Sequence, residues 1–483
     1  MLLETLLRAM EQSMLSDFSP FSSRGSRPVP LRAWLVLCAM SMLQFFIAVD
    51  VTVVNIALPS IGADFGVAGH SLTWVVVGYT ITGGGLLMLG GRLSDLLGRR
   101  RTLLIGTSLF GAASLLAGLA PSFPALVAAR LLQGAGEAIA LPAAMASIVL
   151  LFPEGPRRSR ALSVWAAVAS CGLVLGFALS GVITAHLGWR WIFLTSVPFI
   201  LVVIVAALLL VPADRPTARE RARVDLPGSL LLVACPLLFV YAVVQAGEPE
   251  TNLWWSVAAL TGAVISALAF LKVESTSPNP LIPMGFFTDR SRLRANLTTM
   301  LLSGALSTSF LLFTFYLQER LAIGPLGAGL TMLPLAVALI AASVLIPRLL
   351  ERWGARVCVL IGLAFAAAAM ATIALISVLD ATAAWLLPAM LLIAAAMGFG
   401  LVGLQYIAVS GTTEQDAGIA SGIQRAADQL GGASGVALYV GLGFSPALHA
   451  SDPFVIAALL ATLGLILGAT IIGRNRANTP QHP

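Results

Sequence analysis

Runs of about twenty mostly apolar residues recur from one end of this chain to the other, and the short connectors between them carry its arginines. A helix of that length rises about 30 Å, which matches the hydrocarbon core of a bilayer. Measured against that length, spans fall at 33–59, 72–89, 102–120, 124–151, 161–185, 190–211, 227–246, 253–272, 295–318, 327–347, 357–379, 384–409, 418–444 and 453–473. Fourteen membrane helices are therefore expected, the least apolar being 418–444, which opens on polar residues. Hydrophobic residues make up 58% of the chain and charged residues only 10%, against roughly 25% charged in soluble domains. A chain of 483 residues could not hide that much apolar surface from water, so lipid is the expected solvent.

The formal net charge of +6 invites a nucleic-acid reading, but no basic face interleaved with aromatics exists. The basic residues instead sort by side. With the N-terminus in the cytoplasm, the alternate connectors and the two tails collect 24 Lys and Arg inside. Only Arg190 and Arg320 fall outside, while Arg130 and Arg425 lie within spans. Such asymmetry orients a polytopic protein and predicts both termini in the cytoplasm, in a cell inner membrane. The longer inside connectors, 212–226 and 273–294, flank a helix pair that reads as an insertion. The expected organisation is a cytoplasmic tail at 1–32, a six-helix bundle at 33–211 and a linker with two inserted helices at 212–294. A second six-helix bundle at 295–473 and a tail at 474–483 follow. Similar halves around a central path are a transporter architecture. No cleavable signal peptide is expected in 1–31. Leu3, Leu7 and Met10 either form one side of a short interfacial helix or belong to a start without structural meaning.

Several chemistries are excluded by spacing. The one lysine, Lys272, follows Leu271, so no phosphate-binding Gly-Lys-Ser/Thr loop exists and no ATP motor of that kind is expected. His70, His186, His449 and His482 form no His-Glu-x-x-His motif, and no Gly-x-Ser-x-Gly elbow occurs. Cys38, Cys171, Cys235 and Cys358 stand alone in apolar runs, as small buried thiols do. The expectation is a protein that is not an enzyme and uses no metal or cofactor.

Ionisable residues inside lipid cost several kcal/mol unless paired or hydrated, roughly 3 kcal/mol on insertion scales, so those present mark candidate sites. Asp50 lies in the first span, and Arg130 and Glu137 in the fourth. Arg130, Gln133 and Glu137 recur at steps of three and four and share one helix face. A carboxylate beside an arginine can couple proton binding to a change of state, or the pair can simply fasten helices together; both readings stay open. Candidate cavity residues are Asn55, Gln133, Phe313, Tyr316, Gln318, Gln405 and Tyr406, which suit bulky apolar ligands or equally ordinary helix packing.

These residues resemble a known family. The chain is similar to major facilitator superfamily members of the fourteen-helix drug:proton antiporter branch, from about Trp34 to the end of the last span. Asp50-Val-Thr-Val-Val-Asn55-Ile-Ala-Leu-Pro59 is like that branch's first-helix signature, and Trp74 and Tyr79 keep the second-helix spacing. Gly91-Arg92-Leu-Ser-Asp95-Leu-Leu-Gly98-Arg99-Arg100 resembles the superfamily's cytoplasmic latch, with Gly91 and Gly98 permitting a tight turn and Asp95 bonding Arg99 or a helix N-terminus. Arg130-Leu-Leu-Gln133-Gly-Ala-Gly136 is similar to the branch's proton-linked arginine motif, and Glu137 stands where a small residue is usual. Gly188-Trp189-Arg190, Tyr316-Leu-Gln318 with Pro325, and Gly418-Ile-Ala-Ser421-Gly422 with Arg425 and Gln429 are also branch-like. One motif departs. The exporter motif of the fifth helix survives as Gly172, Gly176 and Gly181, but Phe177 replaces its proline and Ser180 a glycine, so close packing is expected without a kink.

The resemblance implies an all-α polytopic protein of the major facilitator fold, two six-helix bundles plus two inserted helices. It would export amphipathic small molecules by proton antiport through alternating access, around a cavity lined by helices 1, 4, 9 and 12. Its partners would be protons, the substrate and membrane lipid, without nucleic acid, and a monomer is expected. Phe177 leaves open a facilitator or lipid/sugar-conjugate exporter not driven by protons. A membrane receptor that transports nothing is the alternative from another class. Topology reporters fused at residues 155, 220 and 285 should all report the cytoplasmic side; a reporter on the other face would break the two-half arrangement.

Overall fold

The computed structural model describes residues 30–67, 69–213, 225–247, 252–278, 280–283, 285–412, 414–444 and 452–473. The two tails, apart from residues 30–32, lie outside the described residues, as does most of the first long connector. Among the described residues the regular elements are helices, and there is no strand. This is what lipid demands, because each backbone N–H and C=O must find its partner inside its own segment.

The first half begins with α1 (Leu31–Phe65), followed by α2 (Gly69–Gly85) and α3 (Leu87–Leu97), which form one pair bent by 46°. α4 (Arg99–Gly118), α5 (Phe123–Leu151) and α6 (Pro156–His186) follow, and α7 (Trp191–Leu194) leads into α8 (Ser196–Leu210). The inserted pair is α9 (Leu226–Gly247) and α10 (Leu253–Thr276), with the short α11 (Gly285–Thr288) after it. The second half contains α12 (Arg290–Phe315), α13 (Pro325–Thr331), α14 (Leu333–Trp353), α15 (Ala355–Val378), α16 (Leu386–Ala396), α17 (Val402–Val409), α18 (Glu414–Gly443) and α19 (Pro453–Gly473). Twelve helices of the described residues are long and apolar enough to cross a bilayer, and the bent α2–α3 pair makes a thirteenth. The expected fourteenth is α18, which has 30 residues but lacks uniform apolarity. Its Gly418, Ser421, Gly422, Arg425 and Asp428 line an open cavity, so that face meets water and not lipid.

Within the first half α4 packs on α5, α1 on α6 and α2 on α5; within the second α12 packs on α18 and α19, and α15 on α16 and α19. The halves meet along two seams, α2 against α18, and α6 against α13 and α14. Of the inserted pair, α9 reaches this core by packing on α18 and α2. Leu208, Trp254, Leu268 and Leu463 are among many large apolar side chains that face outward, as a lipid-bathed surface requires.

An internal repeat is written in the turns. Left-handed residues occur at Gly66, Gly98 and Gly155 and again at Ala322, Gly354 and Gly411, all three pairs sharing one offset in residue number. The same offset carries Arg92, Asp95, Gly98 and Arg100 onto Arg348, Glu351, Gly354 and Arg356. It carries Asp50 and Arg130 onto Leu306 and Leu386, so the embedded charges have no copy in the second half. The tight turn expected from Gly91 and Gly98 together needs correction: α3 stays helical through Leu97, Gly91 included, and Gly98 alone makes the turn at φ 87°. Arginines at these ends hold helix C-termini, where orphan carbonyls gather. Arg32 Nε donates to Leu210 O at 2.6 Å, Arg100 to Leu208 O, and Arg356 to Gly473 O at 2.5 Å.

Close backbone approach tightens each bundle. A methyl on Gly134 of α5 would lie 2.1 Å from Tyr79 O of α2, and one on Gly435 of α18 would lie 2.2 Å from Gly304 Cα of α12. Gly435→Leu should therefore push α18 off α12 and lower the unfolding midpoint in detergent by several degrees, equivalent to roughly 1–3 kcal/mol of overpacking. A thermal melt of the purified variant checks it.

Candidate functional site

Arg130 sits within the first third of α5 with 1% of its surface exposed, and its contacts come from α1, α2 and its own helix. Its Nη1 donates to Asp50 Oδ2 of α1 at 2.5 Å and to Gln133 Oε1 one turn along at 2.8 Å. Its Nε donates to Val75 O of α2 at 2.8 Å. The guanidinium carbon stands 4.2 Å from the centre of the Tyr79 ring, a cation–π distance. Gln133 Nε2 in turn donates to Ser114 Oγ of α4 at 2.8 Å and to Asp50 Oδ1 at 3.3 Å. Both carboxylate oxygens of Asp50 are thus engaged, and four helices of one half are fastened through one charge pair. Asp50 also touches a small apolar pocket of about 220 Å³ between α1, α6, α7 and α8, lined by Phe45, Phe46, Ile183 and Phe199 among others.

Glu137, two turns along α5 from Arg130, is 2% exposed and faces the other half. Gln429 Nε2 of α18 donates to its Oε1 at 3.4 Å, across the α2–α18 seam. Its carboxylate also lies beside the Tyr79 hydroxyl of α2, while Gln429 Oε1 has no hydrogen-bond partner among the described residues. The contact is possible because Gly83 and Gly84 leave α2 bare: methyls there would stand 2.9 Å from Gln429 Oε1 and 2.8 Å from its Cβ. Asp50 and Arg130 therefore close a network inside one half, whereas Glu137 holds an incompletely satisfied contact between halves.

A cavity of about 910 Å³ opens toward the arginine-rich face between the two halves. Its wall takes Gln44 from α1, Met88, Arg92 and Asp95 from α3, Leu141 and Met145 from α5, and Trp165 from α6. α17 adds Val402 and Gln405, and α18 adds Ser421, Arg425 and Asp428. Asp95 is exposed at the mouth, and neither Arg99 nor a helix N-terminus is bonded to it among the described residues. The opposite end is shut. The π turn Tyr316–Arg320 after α12 aims Gln318 Nε2 at Ile56 O of α1, 2.7 Å away. Phe177 of α6 and Phe310 of α12 stand with ring centres 5.7 Å apart, also between the halves. Gly181 lies against Pro325 O and Gly329 against Phe177 O; Gly172 and Gly176 lie against Phe45 O and Thr52 of α1. α6 is one continuous helix through Phe177. The two outside arginines are ion-paired within their own halves, Arg190 with Asp64 at 2.6 Å and Arg320 with Asp380 and Asp452 at 2.6 and 2.9 Å.

Of the seven cavity candidates read from the sequence, Gln405 lines this cavity. Gln133 belongs to the Arg130 network, and Asn55 donates to Val51 O on its own helix. Phe313 and Tyr316 are buried in the core, Tyr316 donating to Ala381 O, and Tyr406 is 59% exposed on the outer surface. The described lining includes no residue of α12, the ninth span, which approaches the cavity only by backing Asp428. Asp428 itself escaped the sequence reading because its span is the most polar. The spacing of Ser421, Gly422, Arg425 and Asp428 at steps of one, three and three is the signal that could have found it.

Two bundles joined by an inserted pair, with a cavity open at one end and sealed at the other, are the build of an alternating-access transporter. The chain belongs to the Major Facilitator Superfamily, whose model matches residues 40–436. It is a multi-pass membrane transporter and not an enzyme. It is 52% identical to the lincomycin resistance protein of Streptomyces lincolnensis, covering 94% of this chain and 95% of that one. It is 36% identical to the puromycin resistance protein pur8 of Streptomyces alboniger, over 94% and 88%. It is also 36% identical to the cephamycin export protein CmcT of Amycolatopsis lactamdurans, over 95% and 96%. Solved structures with the same fold include the POT family transporter PepTSo, with a TM-score of 0.67 at 14% identity over 92% and 98% of the two chains. A D-xylose-proton symporter superposes with a TM-score of 0.62 at 15% identity over 90% and 97%.

Removing one partner of a buried ion pair strands the other. Asp50→Asn should leave the Arg130 charge uncompensated and destabilise the first half by about 3–5 kcal/mol. The double variant Asp50→Asn/Arg130→Gln should recover part of that loss, as read from thermal unfolding in detergent.

Proposed function

We propose that the chain exports amphipathic small molecules by proton antiport. The observation that carries this reading is the pairing of a one-end-open cavity with ionisable residues embedded beside it in the first half. Relatives named for lincomycin and puromycin resistance and for cephamycin export support an outward direction and a drug-like or metabolite cargo. The arginine-rich face is cytoplasmic in this reading, so the conformation faces inward and receives substrate from the cell or the inner leaflet. α18 is the fourteenth span, both termini are cytoplasmic, the membrane is the cell inner membrane and the working unit is a monomer.

Asp50, Arg130 and Glu137 carry the proton coupling. Protonating Asp50 releases Arg130 from its salt bridge, and protonating Glu137 changes the hydrogen bond that Gln429 makes across the seam. Either event biases the equilibrium between inward and outward states by the difference in proton affinity of the two states, and by no more. Outward opening requires Gln318 to leave Ile56 and the Phe177–Phe310 contact to part, while the cytoplasmic mouth closes. Gly91, Asp95, Gly98, Arg99 and Arg100 form the latch for that closed mouth. Asp95, exposed while the mouth is open, meets its partners when the ends come together.

Reconstituted in liposomes, the protein should expel a fluorescent amphipathic dye faster when a proton gradient is imposed. Asp50→Asn and Arg130→Ala should each cut that stimulation by about tenfold or more, on the scale of about 1.4 kcal/mol per decade. Full gradient-driven transport in both variants would defeat the coupling assignment. Transport indifferent to the gradient in the unaltered protein would favour an uncoupled facilitator.

A further inference from the structure

Residues 280–282, just after the inserted helix pair, form a strap across the mouth of the large cavity, with Leu281 in the cavity wall. Leu281 and Ile282 are buried and pack with Met88 of α3 and with Ile419 and Ile423 of α18. Arg92 Nη2 of α3 donates to Pro280 O at 3.0 Å. The strap is thus gripped by both halves. It lies in a fork between them. At the base of the fork α3 meets α18 directly, for a methyl on Gly422 would stand 2.9 Å from Met88 Sδ. One turn nearer the arginine-rich face, at Arg92 and Ile419, the strap fills the space between the two helices. Asp95 follows on the next turn of α3.

Glu274, in the last turn of α10 and 2% exposed, fixes the strap in place. Its Oε2 accepts the Ile282 N–H at 3.1 Å, and its carboxylate also faces the Leu281 N–H and Arg92. A second carboxylate works against that grip. Asp225 caps α9, its Oδ1 accepting the Gly228 N–H at 2.8 Å, and its Oδ2 is buried with no hydrogen-bond partner among the described residues. The bareness of Gly228 lets the two acids converge: a methyl there would stand 2.7 Å from Glu274 Oε1 and 3.1 Å from Asp225 Cγ. Like charges brought this close repel.

Resting on the alternating-access reading above, we infer that the strap is a wedge that stabilises the inward-open state, with Glu274 as its positioning residue, so that the inserted helix pair takes part in gating. The latch closes only when Asp95 and the start of α18 come together, and the docked strap fills the fork between them. Docking buries two apolar side chains and satisfies the strap's amides, so it favours the open mouth. The neighbouring charge of Asp225 weakens the docking, which lets the wedge release in each cycle.

Thiol labelling in detergent tests this without a gradient or a cargo. In a background with Cys38, Cys171, Cys235 and Cys358 replaced by alanine, one reporter is Phe310→Cys at the sealed end and the other is Met145→Cys on the open cavity wall. Glu274→Ala frees the strap and should raise the labelling rate at Phe310→Cys by about threefold, the population shift given by one lost hydrogen bond, without raising it at Met145→Cys. Ile282→Ala, which leaves α10 untouched, should act in the same direction. Asp225→Asn keeps the cap and removes the repulsion, so its rate at Phe310→Cys should stay equal or fall. An unchanged rate at Phe310→Cys in Glu274→Ala or Ile282→Ala, a rise there in Asp225→Asn, or a rise at both reporters, as general loosening would give, would each overturn the proposal. An unaltered protein that moves no dye while the expected pattern holds would count against the export reading and leave the wedge standing.

Discussion

A guanidinium buried inside a membrane-spanning helix bundle has to be held, and much of the first half is arranged to hold Arg130. Asp50 neutralises it, Gln133 and the Val75 carbonyl take two further N–H groups, and the Tyr79 ring lies alongside. Each partner comes from a helix that must be close and correctly rotated. The bareness of Gly134 against Tyr79 O is part of the same arrangement, since a side chain there would lift α5 away from α2. The apolar packing gives these helices their cohesion, and the polar cluster fixes their register, because any other register would leave an ion or amide unpaired in lipid.

The second half has the same turns and the same end-capping arginines but no copy of this cluster. Leu306 and Leu386 occupy the corresponding positions. One bundle is therefore pinned by charge, and the other is packed mainly by small and aliphatic residues. The charged groups of the second half that face the cavity, Arg425 and Asp428, are on α18 instead. Glu137 is where the two patterns meet. It lies on the helix of Arg130 but faces Gln429 of the other half, through a gap that two glycines keep open. The one hydrogen bond across that gap is long, 3.4 Å, so the seam loses little there if the halves separate.

The sealed end is made differently. There the halves touch through the amide of Gln318 on a carbonyl, an aromatic pair, and glycines pressed against backbone. Phe177 stands at the position where the family pattern has proline, and its bulk is used in this closure. The Phe177 ring fills space between the halves that a smaller residue would leave open.

The solvent, the helical class, the approximate spans and the clustering of arginines on one face were legible in the sequence. All four follow from the cost of placing polar groups in lipid, which acts on each segment by itself. The pairing of Asp50 with Arg130 was legible for the same reason: two opposite charges kept at that cost point to each other. The walls of the cavity were not legible in this way. Phe313, Tyr316 and Tyr406 look like cavity residues by type, yet two are buried in the core and one faces outward. Asp428 looks like part of a polar helix end, yet it lies deep in the cavity wall. Which face of a helix meets lipid, a neighbour or water depends on how helices far apart in the chain rotate against one another. Only the assembled bundle decides that, because the side chains that set each rotation belong to the partner helix.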